Sequence, residues 1–156
     1  MTRCMSLDVG EARIGVALSD PGGFLASPYT TLRVSRDELQ TLAAIQRLVN
    51  ETEAEALVIG LPISLDGKIH AQGEHVQAFA ERLRPHISIP ITFWDERYST
   101  VEAERLLAGQ DEKRARRRRA KRRDGRSGYH HSIDALAATV ILQEYLDDLR
   151  SKTEDR

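Results

Sequence analysis

Apolar and polar positions alternate with period two through Arg13-Ile-Gly-Val-Ala-Leu18, where Ile14, Val16 and Leu18 fall on one face. That pattern predicts a strand, the hairpin partner of an opening strand that runs to Asp8, with a tight turn around Gly10. Pro21-Gly-Gly23 breaks the pattern. A third strand is expected over Ser27 to Val34, toward a sheet edge because Pro28 cannot donate a ladder hydrogen bond. The spacing then changes to three and four at Leu39, Leu42, Ala43, Ile45, Leu48 and Val49. With Ser35-Arg-Asp-Glu38 ahead of them as a capping box, these predict a helix from about 36 to 52.

Ala56-Leu-Val-Ile-Gly-Leu61 is a continuous apolar run stopped by Pro62, as in a central parallel strand covered on both faces. Further along, a helix is predicted over His75 to Leu83, a strand over Ile89 to Trp94, and a helix from the capping box Ser99-Thr-Val-Glu102 to the stop at Gly109. A last helix from Ser132 carries Ile133, Leu136, Ala137, Val140, Ile141 and Tyr145 in register. The expectation is an α/β fold: a mixed sheet of about five strands, first an antiparallel meander and then parallel, with helices on both faces. One domain is expected over 1–150, with residues 151–156 as a frayed tail.

Composition changes this picture in one respect. The chain of 156 residues, 40% hydrophobic and 30% charged, has the profile of an ordinary globular domain. Its single cysteine, Cys4, sits in an apolar strand and reads as a small buried hydrophobe. No stretch approaches the roughly 20 apolar residues of a membrane span, and the first residues lack the apolar core of a signal peptide. The expected location is the cytoplasm, with no membrane partner.

The net charge of -1 conceals a strong asymmetry. Lys113, Arg114, Arg116, Arg117, Arg118, Arg119, Lys121, Arg122, Arg123 and Arg126 share a short segment with one acid, Asp124, so the rest of the chain is strongly acidic. A cationic arm of this density, at about 110–129, suits the phosphates of a nucleic acid better than it suits a solvated face. Such an arm neutralises phosphates without reading sequence.

Ligands of open α/β sheets gather at the carboxyl ends of parallel strands, and Asp8, Asp95 and Glu96 fall at predicted strand ends. Asp134 falls in the first turn of the last helix, where a carboxylate also interacts favourably with the helix dipole. Asp95 and Glu96 point to opposite faces if both lie in one strand, so one of the two is expected at a site. Converging carboxylates repel unless a cation lies between them, and hard oxygen donors suit Mg²⁺ or Mn²⁺. Zinc is disfavoured, since Cys4 stands alone and the five histidines show no paired ligand spacing.

Arg13 and Arg97 flank these acids and are candidates for holding phosphates or for pairing with local acids. Gly10 and Gly15 are read as permitting turns or the close approach of a phosphate. His130 and His131 precede Asp134 as candidate proton carriers, with exposed structural histidines the commoner case. Trp94 is expected in the core rather than as a base-stacking platform.

Four blocks carry a family resemblance: Leu7-Asp-Val-Gly-Glu-Ala-Arg-Ile-Gly-Val-Ala-Leu-Ser-Asp20, Val58-Ile-Gly-Leu-Pro62 with Asp66-Gly67, Asp95-Glu-Arg-Tyr-Ser-Thr-Val-Glu-Ala103, and Ile133-Asp-Ala-Leu-Ala-Ala-Thr-Val-Ile-Leu142. Together, over about residues 3 to 147, the chain resembles the YqgF (RuvX) family of the RNase H-like superfamily, described as Holliday junction resolvases and as pre-16S rRNA nucleases.

The resemblance implies an RNase H-like fold and metal-binding, catalytic carboxylates at Asp8, Glu96 and Asp134. It implies phosphodiester hydrolysis with Mg²⁺ or Mn²⁺, as a pair of ions, and maturation of the 5′ end of 16S rRNA. His70-Ala-Gln-Gly73 departs from the commonest form of its block, and the arginine run is unusually dense, which leaves open whether structured RNA or branched DNA is cut. A DNA-junction resolvase acting as a two-fold dimer is the nearest alternative, so monomer and homodimer both stay open. A non-catalytic RNA-binding assembly factor is an alternative of another class. An actin-like sugar kinase needs two lobes and far more chain.

Overall fold

The computed structural model describes residues 2–63, 66–95 and 133–154. Among these residues five strands form one sheet: β1 (Cys4–Val9), β2 (Arg13–Ser19), β3 (Ala26–Arg33), β4 (Ala56–Leu61) and β5 (Ile91–Asp95). The spatial order is β3-β2-β1-β4-β5. The first three strands are an antiparallel meander, while β4 pairs parallel with β1, and β5 parallel with β4. Among the described residues three α-helices pack on it: α1 (Glu38–Thr52), α2 (Ala71–Leu83) and α3 (Ile133–Glu154). The mixed α/β sheet has the strand arrangement the hydrophobic pattern predicts.

Side-chain alternation along β1 divides the interior into two layers. Met5, Leu7 and Val9, with Ile14 and Val16 of β2, pack against Leu42, Ile45 and Val49 of α1 and Val76, Phe79 and Leu83 of α2. Cys4, Ala17, Ala26 and Val58 face Ala138, Ile141, Leu142 and Leu146 of α3 on the other side. The first layer holds the bulkier side chains, and truncating the fully buried Ile45 to alanine there should cost ~2–5 kcal/mol. The second is lined by small residues on the strands, so α3 lies close to the sheet.

Boundaries depart from the sequence expectation for local reasons. Asp37, not Ser35, caps α1 by accepting the Leu39 amide at 3.1 Å, while the Ser35 hydroxyl donates to Gln40 at 3.0 Å. Helix α2 begins at Ala71, ahead of the first periodic apolar residue. Its first turn lies against the preceding loop through Gly73, where a Cβ would stand 2.5 Å from Ile69 Cγ2 and 2.8 Å from the Pro62 carbonyl oxygen. Pro28 does lie on the edge strand β3, beside a register shift. Helix α3 continues through Glu154, into the segment expected as a tail, with Lys152 paired to Asp148 at 2.9 Å and the Thr153 hydroxyl donating to the Leu149 carbonyl at 2.9 Å. No described helix is long and apolar enough to cross a membrane.

Candidate active site

Asp8 occupies the penultimate position of the central strand. Its parity is that of Cys4 and Ser6, so its carboxylate points to the α3 side of the sheet. Cys4 and Ser6 are buried under α3, whereas Asp8, nearer the strand end, is half-buried and reaches the edge of that layer.

The helix that covers this layer brings Asp134 in its first turn. Two contacts fix its height. Gly15 of β2 stands directly opposite Asp8 in the β1–β2 register. A Cβ on Gly15 would lie 1.9 Å from the Asp134 carbonyl oxygen and 2.8 Å from the Ala135 nitrogen, so the helix backbone rests on the strand backbone. One turn further on, the buried Ser6 hydroxyl donates to the Ala138 carbonyl at 2.6 Å.

The electrostatics follow from this packing. Burial, and secondarily the Asp134 carboxylate, push the Asp8 carboxyl up to about 6. Arg13 offsets part of the negative charge, its Nε lying 3.7 Å from Asp134 Oδ2. The Arg13 side chain is 64% exposed, so this pair is worth at most about 1 kcal/mol and leaves the guanidinium accessible.

Asp95 does not join them. It pairs in register with Leu61, and its parity is that of Ile91 and Phe93, which pack in the α1/α2 layer. Trp94 takes the α3 side, where its indole N–H donates to Glu144 at 3.1 Å and its ring meets Tyr145 edge-on at 5.9 Å. It is a packing residue, as its sequence context suggests. A crevice of about 160 Å³ beside the β1–β2 turn, lined by Val9, Gly10, Ile14, Val34 and Phe79 with charged residues, lies on the α1/α2 side and contains neither Asp8 nor Asp134.

The structure thus brings together three expected site residues, Asp8, Asp134 and Arg13. Glu96, Arg97, His130, His131 and the basic run from Lys113 to Arg126 lie outside the described residues. Of the two glycines read as turn formers, Gly10 is one, its amide donating to the Arg13 carbonyl at 2.9 Å. Gly15 is instead inside β2, and the approach it permits among the described residues is that of α3. The sequence reading missed Ser6, whose buried hydroxyl carries no motif; a glycine within an alternating strand was the available sign for Gly15.

A meander of three strands continued by parallel ones, with a helix carrying an acid to the central strand, defines an RNase H-like fold of the RuvC type. Two solved structures share it: Thermus thermophilus RuvC in complex with Holliday junction substrate (TM-score 0.55, 11% identity, 96% of both chains), and the Fowlpox virus resolvase complexed with Holliday junction DNA (TM-score 0.57, 8% identity, 94% of this chain and 98% of that one). The chain belongs to the RuvX family, whose model, described as Holliday junction resolvase, matches residues 2–148. It is 46% identical over 149 residues to the "Putative pre-16S rRNA nuclease" of Roseiflexus sp. strain RS-1, covering 95% of this chain and 96% of the relative. The protein of the same description from Moorella thermoacetica is 45% identical, with 94% and 96% covered.

Proposed function

We propose that this chain is a divalent-metal-dependent endonuclease that hydrolyses phosphodiester bonds in precursor 16S rRNA at a site made by Asp8, Glu96 and Asp134. The observation that carries the reading is the meeting of Asp8 and Asp134. A half-buried carboxylate raised to about 6 and set against a second carboxylate is unfavourable by itself. It becomes favourable when a cation lies between the two. The donors are oxygens alone, which fits Mg²⁺ or Mn²⁺. Bound there, such ions supply charge stabilisation to the attacking and departing oxygens at phosphorus.

The chain's own residues supply the rest. Asp8 and Asp134 would hold the cations from a strand and a helix that cannot move independently, since Gly15 and Ser6 seat the helix. Arg13, exposed beside Asp134, orients a neighbouring phosphate of the substrate. The basic run from Lys113 to Arg126 holds the polyanion outside the site.

The relatives' shared description favours RNA. The family's description favours four-way DNA as the second reading. Purified wild type and Asp8→Asn, incubated with matched pre-16S rRNA and four-way junction substrates in Mg²⁺, Mn²⁺ or chelator, test both. Specific cleavage of the rRNA precursor by wild type alone, and with metal alone, is expected. Cleavage that survives Asp8→Asn or chelation disproves the metal site, and cleavage confined to the junction moves the substrate to DNA.

A further inference from the structure

We propose that Gly15 is a positioning residue for the paired carboxylates, its missing side chain setting the distance at which Asp134 of α3 meets Asp8 of β1. The inference rests on the carboxylate site proposed above and adds a residue to it that need not touch metal or substrate. Gly15 lies in the middle of β2, paired with Asp8 on one side and with Thr31 on the other, where no turn calls for glycine. Its backbone does not have the left-handed φ that favours glycine. What calls for glycine is the helix above it.

A Cβ would meet the Asp134 carbonyl oxygen at 1.9 Å and its carbonyl carbon at 2.1 Å, distances no packing tolerates. Both clashing groups belong to the backbone of the residue whose side chain faces Asp8. Relief therefore requires the first turn of α3 to retreat by about 1.5 Å, the shortfall from ordinary van der Waals contact. The strand cannot yield instead, because β2 is held between β1 and β3. Ser6 ties the next turn of the helix to β1 at 2.6 Å, so the retreat is concentrated at Asp134. A side chain at 15 is thus translated into a wider gap between two acids on different elements.

The gap has the length of one C–C bond, about 1.5 Å, which makes the idea testable by compensation. Mn²⁺ binding is measured by calorimetry on the full chain at a temperature where each variant is folded, for wild type, Gly15→Ala, Asp134→Glu, the double variant and Asp8→Asn. Gly15→Ala is expected to weaken Mn²⁺ about 10-fold or more, the scale of losing a group that orients metal ligands. Asp134→Glu alone should also weaken it, because the longer side chain overshoots. In the double variant the longer acid spans the wider gap, and most of the affinity returns.

A Gly15→Ala chain that binds as wild type does, or a double variant that shows the two losses simply added, overturns the proposal. Should Gly15→Ala not fold, Asp134→Glu in the wild-type background decides: a neutral result overturns the spacing argument and a loss supports it. Mn²⁺ binding by wild type that survives Asp8→Asn is a separate outcome, and it is the carboxylate site that then fails.

Discussion

Asp95 stands opposite Leu61 in the β4–β5 register, and so belongs to the layer of Ile59 and Phe93 rather than to the face that carries Asp8. Adjacent acids at the end of a strand look equivalent in a sequence, but the pleat assigns Asp95 to the α1/α2 layer. Glu96 lies outside the described residues, and the proposed site takes it rather than Asp95 as its third acid. Asp95→Asn is therefore expected to keep Mn²⁺ affinity and turnover within about threefold of wild type, while Glu96→Gln should lower turnover by at least two orders of magnitude. Single-turnover cleavage of the two variants side by side checks the assignment, and the reverse order of effects would refute it.

Asp8 makes the metal-free protein less stable than it could be. Its carboxyl is raised from 3.8 to about 6 on folding, so the folded state binds the proton more tightly than the unfolded state does. Stability from this group is full below about 4 and is lost as pH rises through about 6. At pH 7 to 8 the ionised form costs on the order of 1–3 kcal/mol. Asp8→Asn should accordingly raise the Tm of the metal-free chain at pH 7.5, with the advantage shrinking toward pH 4. Added Mn²⁺ should raise the Tm of wild type and not that of the variant. Thermal melts at three pH values with and without metal give the answer; a variant less stable than wild type at pH 7.5 would contradict it.

Gln143 of α3 ties down the backbone of the β2–β3 corner. Gln143 Oε1 accepts the Ala26 amide at 2.9 Å and its Nε2 donates to the Phe24 carbonyl at 3.0 Å. Gln143→Leu removes both and leaves these two backbone groups of the corner without these partners, at a cost of about 1–3 kcal/mol. Hydrogen exchange should locate the loss, with the Ala26 amide losing protection well before Leu7 in β1. Equal loosening of both strands would show that the corner is not held locally.

Deleting 113–126 removes ten cationic side chains. Affinity for both substrates should fall, and the slope of log K against log salt should flatten by roughly 0.7 to 0.9 for each phosphate that the arm no longer neutralises. Filter binding between low and physiological salt measures it, and an unchanged slope would remove the arm from the interface.

The strands and the amphipathic helices were legible because each buries one face, which stamps a period on the chain. The start of α2 was not, since its first turn packs through Gly73 and backbone rather than through apolar side chains. Asp8 was legible as a charge ending an apolar strand. The meeting of Asp134 with Asp8 was less so, as its own surroundings describe any helix start, and the seat formed by Gly15 and Ser6 is what sets the helix over that strand. Long-range backbone contact leaves no periodic trace, and a buried serine looks like any small residue in a strand.

The hydrogen bond between Ser6 and Ala138 joins residues 132 positions apart. During synthesis the sheet strands emerge first, and Asp8 waits without its partner until α3 has followed them out and docked. A chain truncated before α3 therefore carries the first acid but not the assembled pair. Docking of α3 is itself the step that brings the two acids together.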